Sequence, residues 1–158
     1  MKQLTIAPAA LLMAVICLWT TTTTTAEEPD ADAVNRSLIK YHLIVGEMGG
    51  WKVFQNVLEA LESVARKHGT AVVCVALAWV LAQKRVAATI TGMDSVQQAE
   101  EILEVFRLDL DEEDRTLIAE ALARAEGPRG PVYALERDRD GPHGRIMRYN
   151  LNKGTSGS

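Results

Sequence analysis

Cysteine and positive charge are both scarce in this chain of 158 residues, and each scarcity closes off a class of function. The two cysteines, Cys17 and Cys74, stand far apart with no His or Cys at ligand spacing, which argues against a zinc site and against a disulfide scaffold. No metal is expected. Lys and Arg number 17 against 21 Asp and Glu, a formal net charge of −4, so no basic surface offers itself to a phosphate backbone and nucleic acid is not an expected partner. Aromatic residues are also few, at 5%, but with 47% hydrophobic and 24% charged residues the composition is ordinary for one globular domain and excludes disorder throughout.

Long apolar runs are lacking too. The longest apolar run, residues 4–19, is shorter than the roughly 20 residues of a membrane-spanning helix. It follows Lys2, leads into six threonines at 20–25 and Ala26, and is succeeded by Glu27 and Glu28, the shape of a secretory signal with small Thr24 and Ala26 at a cleavage site. A real signal implies a secreted protein or one in the secretory pathway; otherwise the chain is expected in the cytoplasm, and it meets a membrane only through this segment if uncleaved.

Residues 27–50 read as a linker or loop, polar around Pro29 and ending in Gly49-Gly50, with a weak helix from 35 to 45 in which Leu38, Tyr41, His42 and Val45 share a face. From Phe54 the helical period is clear: Phe54, Val57, Leu58, Leu61, Val64 and Ala65 form one stripe, opposite Gln55, Glu59, Glu62 and Lys67. Gly69 ends this helix, His68 stands as a cation at its C-terminal dipole, and Thr70 is placed to cap the next. That next helix, 71–83, is apolar almost all round from Val72 to Leu81, so neighbours must cover it on most sides.

Residues 86–91 form a β-branched run ended by Gly92, the one good strand candidate. Ser95 and Gln98 stand at capping-box spacing before a stripe of Ala99, Ile102, Leu103 and Phe106. Asp111 then caps a last helix carrying Leu117, Ile118, Ala121, Leu122 and Ala125, closed by Gly127 and Pro128. Residues 128–158 read as a tail without either period, its arginines 137, 139, 145 and 148 interleaved with Glu136, Asp138 and Asp140 as a mixed-charge surface.

A lone strand has no ladder partner, and an apolar helix needs a covering layer, so the order helix, helix, strand, helix, helix reads as a piece of an alternating β/α protein. The text from "NRSLIKYHLIVGEMGGWKVFQ" through "VALAWVLAQ" to "RLDLDEED", with "VYALERDRDGPHGRIMRYNLN" after it, resembles the C-terminal part of the aldo-keto reductases over roughly residues 35–153. The resemblance implies an α/β fold class: a C-terminal fragment of a (β/α)8 TIM-type barrel, mostly helical with one clear strand at 86–91. On that reading 1–26 is the apolar N-terminal segment, 27–50 a linker, 51–127 the last βα units and 128–158 the tail. A complete barrel takes about 250 residues, so this chain supplies about its last third.

The family is one of NADP-dependent oxidoreductases that reduce carbonyls or oxidise alcohols, using an Asp, Tyr, Lys and His tetrad on earlier strands. None of those motifs is found in the chain. Tyr41, Tyr133 and Tyr149 lack such partners and are expected to serve packing, so no catalytic residue is assigned and the chain alone is expected to be inactive. The resemblance places NADP's 2′-phosphate and ribose side at Gly92, Met93, Asp94, Ser95, Gln98 and Glu101, at the loop and helix start after the eighth strand. The residues depart from the family pattern: Asp94 replaces a neutral or basic residue, and Ile102 stands where Asn is usual. Cofactor binding by this chain is therefore in doubt, since a carboxylate repels a phosphate. Trp51 either lines a substrate opening of the barrel or plugs an exposed core. A non-catalytic helical module that binds protein remains the alternative, and self-association or a partner chain is expected through exposed barrel edges and the Trp79 helix.

Overall fold

A computed structural model describes residues 36–84, 86–93, 95–127 and 132–146, with side chains from 39 in the first run and from 134 in the last. The expected signal at 1–26 lies outside these residues, as do Asp94, Arg148, Tyr149 and the Tyr133 side chain. Among the described residues, seven α-helices and one 3-10 turn follow in order: α1 Arg36–Glu47, α2 Trp51–His68, α3 Val72–Leu81, α4 Val96–Leu103, the turn Glu104–Arg107, α5 Glu112–Leu122, α6 Val132–Arg137 and α7 Pro142–Arg145.

The core is built on α2. Its apolar stripe buries Phe54, Val57, Ala60, Leu61, Val64 and Ala65, close to the face expected from spacing. Against this stripe pack α3, through Val75, Ala76, Trp79 and Val80, and α5, through Ile118. The other side of α3 buries Val73, Cys74 and Leu77 with Val105 of the 3-10 turn. Its all-round apolar surface is thus covered within the chain, and Trp79, expected on an association surface, lies inside the core.

The turn between α2 and α3 explains a displaced cap. Gly69 takes a left-handed conformation with φ of 63°, and its N–H bonds the Arg66 carbonyl while the Thr70 N–H reaches back to the Ala65 carbonyl. Two orphan carbonyls are satisfied in this paired arrangement. Thr70 is thereby drawn into closing α2, and Ala71, not Thr70, holds the N-cap position of α3, without a side-chain cap.

Several expectations need correction. No strand occurs among the described residues, and 86–93 is irregular, because β propensity creates a strand only where a neighbouring ladder receives it. The weak helix at 35–45 is real and runs to Glu47, but its buried face is Ile44 and Val45, joined by Met48, so the end of the supposed linker belongs to the core. The stripe expected on α4 is largely uncovered: α4 has no buried residue, and Leu103 and Phe106 are exposed. The last long helix stops at Leu122, before Gly127, and Leu117 is exposed.

The tail also holds structure that its sequence period does not announce. Helix α7 sits on α1, where buried His143 donates from Nε2 to the Glu47 carboxylate at 2.9 and 3.0 Å, and Lys40 pairs with Glu136. Gly144 lies so near the Asp138 carbonyl that a Cβ there would meet it at 1.8 Å.

Candidate functional site

The residues expected to face a nucleotide gather at the start of α4. Ser95 is its N-cap, in an extended conformation with its Oγ accepting the Gln98 N–H at 3.2 Å. One of the helix's orphan donors is thereby satisfied, while the N–H groups of Val96 and Gln97 have no acceptor within the helix and keep the positive end of the dipole open. Gly92 and Met93 lead into this point and are exposed, with nothing within 4 Å of a Cβ added at Gly92. Asp94 lies outside the described residues.

Gln98 and Glu101 are half-buried and follow on the helix itself. The Glu101 carboxylate accepts from Gln97 Nε2 at 3.1 Å, and its backbone carbonyl accepts from the Cys74 thiol at 3.0 Å. Glu101 therefore ties α4 to α3 and borders a cleft of about 530 Å³ that also touches His68, Cys74 and Arg107. Gly92 and Met93 do not line that cleft. The structure thus collects Ser95 and Gln98 at the helix start but leaves Glu101 on a different surface.

Charge decides what this helix start can hold. Between residues 86 and 104 stand Asp94, Glu100, Glu101 and Glu104, and no Lys or Arg. The next basic side chain, Arg107, is engaged by Glu104 at 2.8 Å. Within 86–104 a phosphate dianion would meet helix N–H groups and the Ser95 hydroxyl but no Lys or Arg, the basic residues nearest in sequence being Lys84 and Arg85 before the stretch and Arg107 after it. Residues 86–104 by themselves do not supply the charge-assisted pair that a 2′-phosphate calls for.

The strongest electrostatic cluster lies elsewhere, where the end of α2 meets the start of α5. Asp111 caps α5, accepting the Asp114 N–H at 2.9 Å, while Asp114 Oδ2 accepts the Asp111 N–H at 3.1 Å, a reciprocal capping box made from two aspartates. Lys67 Nζ donates to Asp111 at 2.7 Å and to Asp114 at 2.9 Å, and His68 Nε2 donates to Asp114 Oδ2 at 2.7 Å. The hydrogen bond from Lys67 holds the Asp111 carboxyl at about 2. At Asp114, burial works to raise the pKa, but bonds from Lys67, His68 and the Asp111 N–H outweigh it and keep the carboxyl below its usual range. Lys67 is in turn held above its ordinary value, chiefly by Asp111 and then Asp114. Both carboxylate oxygens of Asp114 accept hydrogen bonds, so the cluster fastens two helices. His68, expected only to answer the helix dipole, has the buried Asp114 carboxylate as its partner.

Trp51 packs on the core and on Phe54, with ring centroids 5.4 Å apart, and its buried Nε1 has no hydrogen-bond partner among the described residues. Among the described residues, no group of His, Cys, Asp and Glu is arranged to hold a metal ion, and no single helix is long and apolar enough to cross a membrane. No curated protein and no solved structure gives a significant match to the chain. The profile of the aldo/keto reductase family matches residues 8–123, which reach from within the apolar N-terminal segment through α5. With nearly three quarters of its length matched in this way, the chain belongs to the aldo/keto reductase family.

Proposed function

We propose that this chain is the C-terminal portion of an aldo/keto reductase barrel that does not reduce carbonyls by itself. Family membership supports an oxidoreductase lineage. The observation that carries the rest is the acidic, base-free stretch at 86–104, where the family resemblance places the 2′-phosphate of NADP. With the helix N-terminus open and Ser95 able to donate its hydroxyl proton, the site keeps the geometry of an anion cradle while lacking the cation that makes it strong. No hydride or proton transfer is assigned to any residue of this chain, because the family's Asp, Tyr, Lys and His motifs, which the resemblance places on earlier strands, are not found in its sequence.

Two measurements test the reading. Purified full-length chain, assayed with NADPH over a broad panel of aldehydes and ketones, is expected to show no turnover above background; a rate proportional to protein overturns the proposal. Calorimetry with 2′-phosphorylated adenosine is expected to show little binding to the natural chain and a gain of about 1–3 kcal/mol in Asp94→Arg, where repulsion gives way to a charge-assisted pair. Equal affinity in the two forms removes the phosphate from this helix start.

A further inference from the structure

We infer that residues 86–93 form an antiparallel strand pair with the same residues of a second copy of this chain. The segment begins anchored: the Val86 N–H bonds the Gln83 carbonyl at 3.2 Å and its side chain packs on the main core. From 87 to 93, the backbone makes no hydrogen bond with any other described backbone group. Ile90 is 88% exposed, and Met93, Val96, Leu103 and Phe106 after it are exposed as well. An uncharged β-branched run with unpaired N–H and carbonyl groups is a template for another strand.

The charge pattern of the segment selects a second copy and an orientation. Lys84 and Arg85 precede it, Asp94 follows it, and nothing between is charged. A parallel copy would set base against base and acid against acid. An antiparallel copy centred on Thr89 sets Lys84 opposite Asp94 of the second chain, and the two-fold axis repeats the pair. The same register lays Ile90 across from Ala88 and puts Thr89 opposite itself. Pairing requires no bound nucleotide and does not depend on the inactivity proposed above.

Full-length chain is expected to sediment as a dimer at micromolar concentration. In a Cys17→Ser background, with Cys74 buried, Thr89→Cys is expected to give a covalent dimer on mild oxidation, because the two Cα atoms would stand about 4.5–5.5 Å apart. Val86→Cys in the same background is expected to stay unlinked, the two positions being about 20 Å apart along an antiparallel pair. Lys84→Glu is expected to weaken the dimer about tenfold, and adding Asp94→Lys to restore it, with the helical circular dichroism signal unchanged throughout. A strict monomer overturns the inference. Equal cross-linking at 86 and 89 overturns it in favour of a parallel arrangement, and a charge exchange without rescue removes the register.

Discussion

Lys67, on the last turn of α2, and Asp114, on the first turn of α5, meet at 2.9 Å although 47 positions separate them in the chain. The carboxylate is only 1% exposed, whereas the ammonium reaches solvent. A buried charge is tolerated here because Lys67, His68 and a backbone N–H together satisfy it.

Replacing that carboxylate should be felt. Asp114→Ala is expected to lower stability by about 2 kcal/mol, since it removes half of the capping box and the tie between two helices. Asp111→Ala, which removes an exposed N-cap, is expected to lose less than Asp114→Ala. Urea unfolding midpoints at neutral pH check both, and an Asp114→Ala midpoint equal to that of the natural chain would show the cluster to be ornamental.

Acid should unfasten the same joint. Both aspartates are held below their usual range, so they contribute stability that is present above their unfolded values, near 4, and is lost as pH falls through their lowered folded values, which for Asp111 is about 2. Lys67 works in the opposite direction: its raised pKa contributes stability that is full below its ordinary value and fades only in strong alkali. Thermal melts from pH 6 to pH 2 are expected to show a decline that is shallower in the Asp111→Ala, Asp114→Ala double variant; parallel curves would refute the assignment.

Gly144→Ala should loosen the end of the chain. The added Cβ would collide with the Asp138 backbone carbonyl, which has no flexible way out, so α7 must leave its seat on α1 and the His143 to Glu47 bond with it. The expected loss is about 1–3 kcal/mol, the range for overpacking. Limited proteolysis should then cut after α5 far faster than in the natural chain. Gly92→Ala, which meets nothing, is the control.

Cys74 should resist thiol reagents. Its side chain is 1% exposed and its S–H donates to the Glu101 carbonyl, so in a Cys17→Ser background labelling is expected only as fast as α4 opens from α3. Immediate stoichiometric reaction in the folded chain would contradict this packing.

What the sequence made legible was local. The stripe of α2, the Gly69 stop, the apolar surface of α3 and the Ser95 and Asp111 caps all depend on residues within a turn or two of one another. Thr70 misled because its backbone was taken by the end of α2 before its hydroxyl could serve α3. Residues 86–91 misled because β-branched composition describes a fit to neighbouring strands, and the described residues supply none. At the candidate site, spacing found the helix start and the poverty of positive charge, but not that the Glu101 backbone carbonyl accepts from the Cys74 thiol. Lys67, His68 and Asp114 could not be joined from sequence, since nothing local announces which carboxylate a distant lysine will meet.

The short turn at 69–71 also has a kinetic meaning. It brings α2 and α3 together with almost no loop to close, whereas α5 must return across the intervening residues to reach α2. Contacts near in sequence form early in folding, and those that close long loops tend to form late. The helical corner at Gly69 is therefore expected to be structured in the folding transition state, and Asp114→Ala to speed unfolding while leaving the folding rate nearly unchanged, a split that the two arms of a denaturant chevron would resolve.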